Sequence, residues 1–206
     1  EIYDEQERIF TNEKARECSI VICSPGFKKD HPWRKIAQNY DKEIITETDL
    51  AVNFTESKII AVTGTNGKTT LATFLTHLWN TRGKSALTAG NVGVPLSQLV
   101  ADGLDSETTV FLETSSYQSE DLKYLRPEAV LWTNFDEDHL DYHQTEEKYF
   151  HAKSRLLELG TTDNLLIGGS VANFADKIDF DLPSQCRVVK RFEAEELRLN
   201  HECFLT

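Results

Sequence analysis

The chain has 206 residues, 39% hydrophobic and 27% charged, a globular rather than disordered composition that can bury a real core. With 34 acidic against 22 basic residues the net charge is −12, a field that repels nucleic acid and anionic membrane, so an anionic ligand needs a local positive site. No apolar run approaches the roughly 18 to 20 residues of a membrane span, and the opening EIYDEQERIF lacks the regions of a signal peptide, so a cytoplasmic monomer without nucleic-acid or membrane partners is expected.

The length suits one domain plus part of another. Glu1 opens a chain without methionine, which points to a fragment or processed product. SIVICS (residues 19–24) reads as a buried strand stopped by Pro25-Gly26, followed by a short helix over 33–39 and a strand over 43–46. Residues 1–55 therefore read as part of a small Rossmann-like α/β domain, joined through the polar stretch 55–58 to a second unit over 56–206. That unit opens with a strand over 58–63, a glycine loop and a helix over 69–82. Leu71, Phe74, Leu75, Leu78 and Trp79 sit at helical spacing there, with Gly83 as the stop. Strands follow at 85–89, 108–114, 129–133 and 164–167 with helices between, and one helix starts near Thr145 with Glu146 and Glu147 in its first turn, where the helix dipole favours acids. Strands alternating with helices predict an α/β fold, a mainly parallel sheet with flanking helices. Cys18, Cys23, Cys186 and Cys203 form no C-x-x-C and are expected as buried free thiols; His201 and Cys203 are zinc-type ligands without a second pair.

In open α/β sheets ligands bind at the carboxyl ends of the strands, and four polar clusters here follow strands. VTGTNGKTT (62–70) lacks the first glycine of the common phosphate loop, since Val62 stands in its place. Strand, glycines, Lys-Thr-Thr and helix nevertheless come in the required order. Gly64 and Gly67 let backbone N–H groups turn on an anion, the helix adds its positive end, Lys68 reaches outer phosphates, and Thr69 is placed to ligate magnesium. Gly90-Asn91 follows the next strand. Glu113 ends the strand after it, where a carboxylate suits magnesium, and two hydroxyls, Ser115 and Ser116, follow closely. NFDEDHLDYH (134–143) packs four acids and two histidines into ten residues, a plausible metal or phosphate cluster. In TEEKYFHAKSRLLEL, Lys153 lies on the apolar stripe with Tyr149, Leu156 and Leu157, so it must snorkel, pair or lose its charge. A neutral amine can take up carbon dioxide as a carbamate, an anionic oxygen ligand.

Together GTNGKTT (64–70), GNVGVP (90–95), LETSSYQ (112–118), TNFDEDHLDYH (133–143) and HAKSR (151–155) resemble the Mur ligases of peptidoglycan synthesis, in spacing as well as in motif. The likeness runs from about residue 19 to residue 206. The Leu-Glu-x-Ser-Ser-aromatic-Gln form and Ser24-Pro25-Gly26 look like the members that add D-glutamate to UDP-N-acetylmuramoyl-L-alanine. The resemblance implies an ATP-dependent carboxylate–amine ligase that works through an acyl phosphate. Gly64, Thr65, Asn66, Gly67, Lys68, Thr69 and Thr70 would hold the ATP phosphates, with Lys68 stabilising the transferring group. Thr69 and Glu113 would bind one Mg2+ ion; His139 and Lys153, the latter as a carbamate, would serve a second. Asn91, Ser115 and Ser116 would contact the muramoyl substrate. Asp136 and Glu137 stand where many members have Thr-Pro, and Tyr142 where many have arginine. The same resemblance implies the end of a UDP-binding first domain and most of a central ATP-binding domain, without the end of the latter or the third domain. Rival readings are another Mur-family ligase (a different amino acid, or glutamate onto folate), a GTPase-like switch, for which no Asn-Lys-x-Asp motif is found, and a non-catalytic nucleotide-binding module.

Overall fold

The computed structural model describes residues 2–4, 8–160 and 164–189; His201 and Cys203 lie outside them. The chain begins with α1 (Asn12–Glu17), β1 (Ile20–Ile22), α2 (Pro32–Asn39), β2 (Glu43–Ile45) and α3 (Glu47–Ala51). β1 and β2 pair in parallel as a two-stranded sheet. Then come β3 (Ile59–Thr63), α4 (Lys68–Thr81), β4 (Ala86–Gly90), α5 (Leu96–Ala101), β5 (Thr109–Glu113), α6 (Ser116–Ser119) and β6 (Ala129–Trp132). The chain continues through α7 (Leu140–His143), α8 (Glu146–Leu159), β7 (Leu165–Gly168), α9 (Gly169–Lys177) and β8 (Cys186–Val189).

The six later strands form one parallel sheet in the order β4-β5-β3-β6-β7-β8. Helices cover both faces, so central strands are apolar without alternation; every residue of β5 is buried. On one face Leu71, Ala72, Leu75 and Trp79 of α4 pack on Val62 and Phe111. On the other, Tyr149, Phe150, Leu156 and Leu157 of α8 join the main core with Trp132 and Phe135. Thr145 caps α8 by accepting the Lys148 N–H. β3 connects outward to β4 and its neighbour β6 connects the other way to β7, which makes the β3/β6 boundary the switch point where such sheets bind ligands.

The structure corrects three expectations. β1 is not a buried strand: Val21 packs on the small core of Phe10, Ala15 and Ala37, but Ile20 and Ile22 point to the uncovered face and are 40% and 48% exposed. A buried strand and a half-covered one carry the same apolar run. Cys18, Cys23 and Cys186 are free as expected but only half-buried; burial pushes the Cys23 and Cys186 thiols up, which keeps them protonated. Phe74 is 57% exposed because it falls at the rim of the arc that Leu71, Leu75 and Trp79 bury. No described helix is long and apolar enough to cross a membrane.

The two sheets are tied through α3. Asp49, fully buried, caps its own helix in a capping box with Thr46 and accepts the backbone N–H groups of Lys123, Tyr124 and Leu125 at 2.8–3.3 Å.

Candidate active site

The glycine loop between β3 and α4 is built against the end of β6. Thr65 N donates to Asn134 O at 3.1 Å, and Asn66 N donates to Asn134 Oδ1 at 2.9 Å. Thr65 Oγ1 accepts the Asp136 N–H at 3.0 Å and itself donates to Asp136 O at 3.2 Å. Asp136 thus braces the loop through its backbone, which any residue but proline can do. Gly64 has φ +147, and a Cβ there would land on the Thr133 hydroxyl, so the position requires glycine on both counts. Gly67, at φ +80, caps α4 with open space where its side chain would be, no side chain caps the helix start, and Thr69 and Thr70 beside it are exposed. A 14-residue helix opening on a glycine turn has the geometry that suits an anion.

Two lysines converge on one carbonyl. Lys68 Nζ donates to Gly64 O at 2.9 Å and to Thr65 O at 2.8 Å. Lys153 Nζ also donates to Gly64 O at 2.9 Å, lies 3.5 Å from Thr63 Oγ1, and sits over the Tyr149 ring at 4.9 Å. Lys153 does not snorkel; it is 1% exposed. Burial and the adjacent Lys68 charge push its amine down to about 7, against the pull of Asp138 and Glu113. At neutral pH much of it is therefore a free amine.

Glu113, 1% exposed at the end of β5, accepts a hydrogen bond from Thr69 Oγ1 at 2.6 Å and one from Asn91 Nδ2 at 3.3 Å. A close backbone approach allows this: Gly90, at φ +113, lies against the Glu113 carbonyl where a Cβ has no room. A hydroxyl and a carboxylate are hard oxygen donors at the edge of a phosphate loop, the donor set that magnesium takes when phosphate and water complete its shell. The donors thus fit one ion. His139 and Lys153 both border Tyr149, the imidazole at 5.9 Å between ring centroids, but an amine donating to Gly64 O offers no anionic oxygen, so a second ion there depends on the carbamate. Among the described residues no three His, Cys, Asp or Glu side chains converge as a metal group. His139 is in the left-handed conformation at φ +53, its amide donating to Asp138 Oδ1 at 2.8 Å.

Ser115 caps α6: its hydroxyl accepts the Gln118 N–H at 3.3 Å. Ser116 is 1% exposed and its hydroxyl is 3.0 Å from Nε2 of the buried His143. It faces the interior, so a substrate reaches it only after that bond is broken. Sequence reasoning missed this pair, and it missed Tyr149 as the ring that carries Lys153 and donates to Thr65 Oγ1 at 3.3 Å. The aromatic cluster of Tyr117, His139, Tyr142 and His143 was legible only as two histidines in an acidic run. Burial lowers the His143 imidazole, so the ring is neutral at pH 7.

A glycine loop at the switch point of a parallel sheet, with Lys-Thr-Thr beside a strand-end carboxylate, defines a phosphate-loop nucleotide-binding α/β protein. The model of the Mur ligase middle domain matches residues 62–196, most of the chain, which belongs to the Mur ligase family. UDP-N-acetylmuramoylalanine–D-glutamate ligase of Leuconostoc mesenteroides subsp. mesenteroides is 38% identical over 147 residues, 71% of this chain and 32% of that protein. The ligase of the same name from Aquifex aeolicus is 38% identical over 165 residues, 80% of this chain and 39% of that protein. The chain thus spans between 32% and 39% of the length of these relatives. MurF ligase from Thermotoga maritima, solved in complex with ADP, shares the fold at a TM-score of 0.53 and 16% identity, over 82% of this chain and 46% of that one.

Proposed function

We propose that this chain carries the ATP-binding and carboxylate-activating part of a ligase that adds D-glutamate to UDP-N-acetylmuramoyl-L-alanine. The observation that supports it most is the Thr69–Glu113 pair, 2.6 Å apart, at the mouth of the glycine loop. The names of the relatives at 38% identity support the choice of substrates.

In the proposed reaction the carboxylate of the muramoyl substrate attacks the γ-phosphorus of ATP. ADP leaves and an acyl phosphate forms. The D-glutamate amine then attacks the acyl carbon, phosphate departs with the bonding electrons, the amine proton passes to solvent, and an amide results. The N–H groups that open α4 after Gly67 hold the phosphates, since those of Thr65 and Asn66 are taken up by Asn134, and Lys68, released from the Gly64 and Thr65 carbonyls, follows the charge of the transferring group. Thr69 and Glu113 hold Mg2+, which when bound offsets repulsion between carboxylate and triphosphate. Asn91 and Ser115 border the carboxylate from the ends of the neighbouring strands. Lys153, as a carbamate with His139, serves a second ion; its low amine value favours carbon dioxide uptake, since only the neutral amine reacts. Residues 1–55 contribute the UDP side, and 56–206 the ATP side.

The test is phosphate release from ATP by the protein that carries this sequence. Release that requires both UDP-N-acetylmuramoyl-L-alanine and D-glutamate is expected, and equal release with another amino acid sinks the assignment. Lys153→Ala nearly abolishes ligation, and bicarbonate restores a depleted enzyme; full activity in Lys153→Ala removes the carbamate.

A further inference from the structure

Between the two sheets lies a charge contact that none of the motifs foretold. Arg34, on α2, is 7% exposed, yet its guanidinium grips Asp121, two residues beyond α6, through two bonds of 2.6 and 2.8 Å. The same Nη1 donates to Phe27 O at 3.2 Å, in the loop that follows Ser24-Pro25-Gly26. Arg34, 87 residues from Asp121 in sequence, thus fastens the loop after β1 to the segment after β5. The neighbours repeat the polarity: Lys29 pairs with Glu120 at 2.8 Å, and Lys28 Nζ lies 5.3 Å from the centre of the Tyr142 ring. Lys29–Glu120 repeats the basic-to-acidic sense of Arg34–Asp121, while the Lys123–Glu43 pair at 3.8 Å runs the other way.

Its location gives it meaning. The loop after β1 and the segment Ser115–Ser119 both follow the carboxyl ends of parallel strands, where ligands of α/β sheets bind, and they belong to different sheets. A substrate that spans both sheets needs their relative placement fixed before it binds. A planar fork bound through two oxygens fixes orientation as well as distance, which a single ammonium cannot. We propose that Arg34 and Asp121 are positioning residues: their bidentate pair, buried on the arginine side, holds the loop after β1 against the segment after α6, so that the two halves of the muramoyl-substrate cleft are set in register. This rests on the substrate reading above, while the mechanical part stands on the contact alone.

The test combines amide hydrogen exchange, read by mass spectrometry on the whole chain, with calorimetric binding. Arg34→Gln and Asp121→Asn are each expected to speed exchange on the order of tenfold in both 24–31 and 115–122, leaving β3 and the start of α4 unchanged. The double variant should match either single one, because the two residues act as one contact. Arg34→Lys, which keeps the charge and loses the fork, should fall between, and it reads the effect if Arg34→Gln does not fold. Each variant should weaken binding of UDP-N-acetylmuramoyl-L-alanine severalfold and leave Mg·ATP binding unchanged. Faster exchange confined to 24–31, additive effects in the double variant, or equal loss of Mg·ATP binding overturns the proposal. A wild-type chain that binds Mg·ATP but not the UDP substrate defeats the substrate reading, and the exchange experiment then decides the mechanical part alone.

Discussion

Lys153 offers a prediction that needs no substrate. Its amine is pushed from an ordinary 10.5 down to about 7 by burial and by Lys68. Between these values the unfolded chain holds a proton that the folded chain has released, so stability rises with pH across the window and falls as pH drops towards 7. Each pH unit of full difference is worth ~1.4 kcal/mol. Half of the folded molecules still hold the proton at the lower edge, so going from about pH 7 to about pH 9 adds ~2 kcal/mol. Of the other shifted groups, the raised Cys23 and Cys186 thiols act near their ordinary 9.0 with the opposite sign and cancel when wild type is compared with Lys153→Met; burial raises Tyr142 and Tyr149 to about 12, which matters above about pH 10, and the lowered His143 matters below its ordinary 6.5. The assay is urea unfolding of the wild type and Lys153→Met at both pH values, in bicarbonate-free and metal-free buffer. Wild type should gain ~2 kcal/mol more than Lys153→Met over that range. Equal pH slopes would refute the claim that this lysine is buried with its charge suppressed.

Two further substitutions probe the frame. Gly64→Ala puts a Cβ on the Thr133 hydroxyl at φ +147; it should lose roughly 1–3 kcal/mol or more in thermal or urea unfolding and weaken nucleotide binding, and a neutral result would show that the loop has room. Asp49→Ala leaves the N–H groups of residues 123–125, that of Leu125 buried, without their acceptor and should cost about 1–3 kcal/mol, read as a lower urea midpoint, with faster exchange at those amides.

The central sheet was legible because its strands are continuous apolar runs: TTVFLET contains β5, which is buried throughout, and AVLWT contains β6. The rule that ligands gather at carboxyl strand ends then placed four polar clusters along one edge, and the Thr69–Glu113 and Asn66–Asn134 contacts join three of them. Three things were not legible. An apolar run does not say how many of its faces are covered, so Ile20 and Ile22 passed for core. The second of two adjacent serines looks the same whether it faces a cleft or, as Ser116 does, a buried histidine. Long-range pairs such as Arg34–Asp121 leave no local pattern, because a buried arginine and an exposed one occupy the same helical spacing. The short helix that carries Asp49 was overlooked too, although Thr46 followed three residues later by Asp49 is an acidic variant of a capping box.

The most direct measurement of the central claim is calorimetric titration of the chain with ATP, with and without Mg2+. The account predicts saturable binding that strengthens with Mg2+. Lys68→Ala should weaken it on the order of tenfold or more, and Glu113→Gln should remove most of the Mg2+ dependence while leaving the fold intact by circular dichroism. Binding that ignores Mg2+ and survives both substitutions would contradict it.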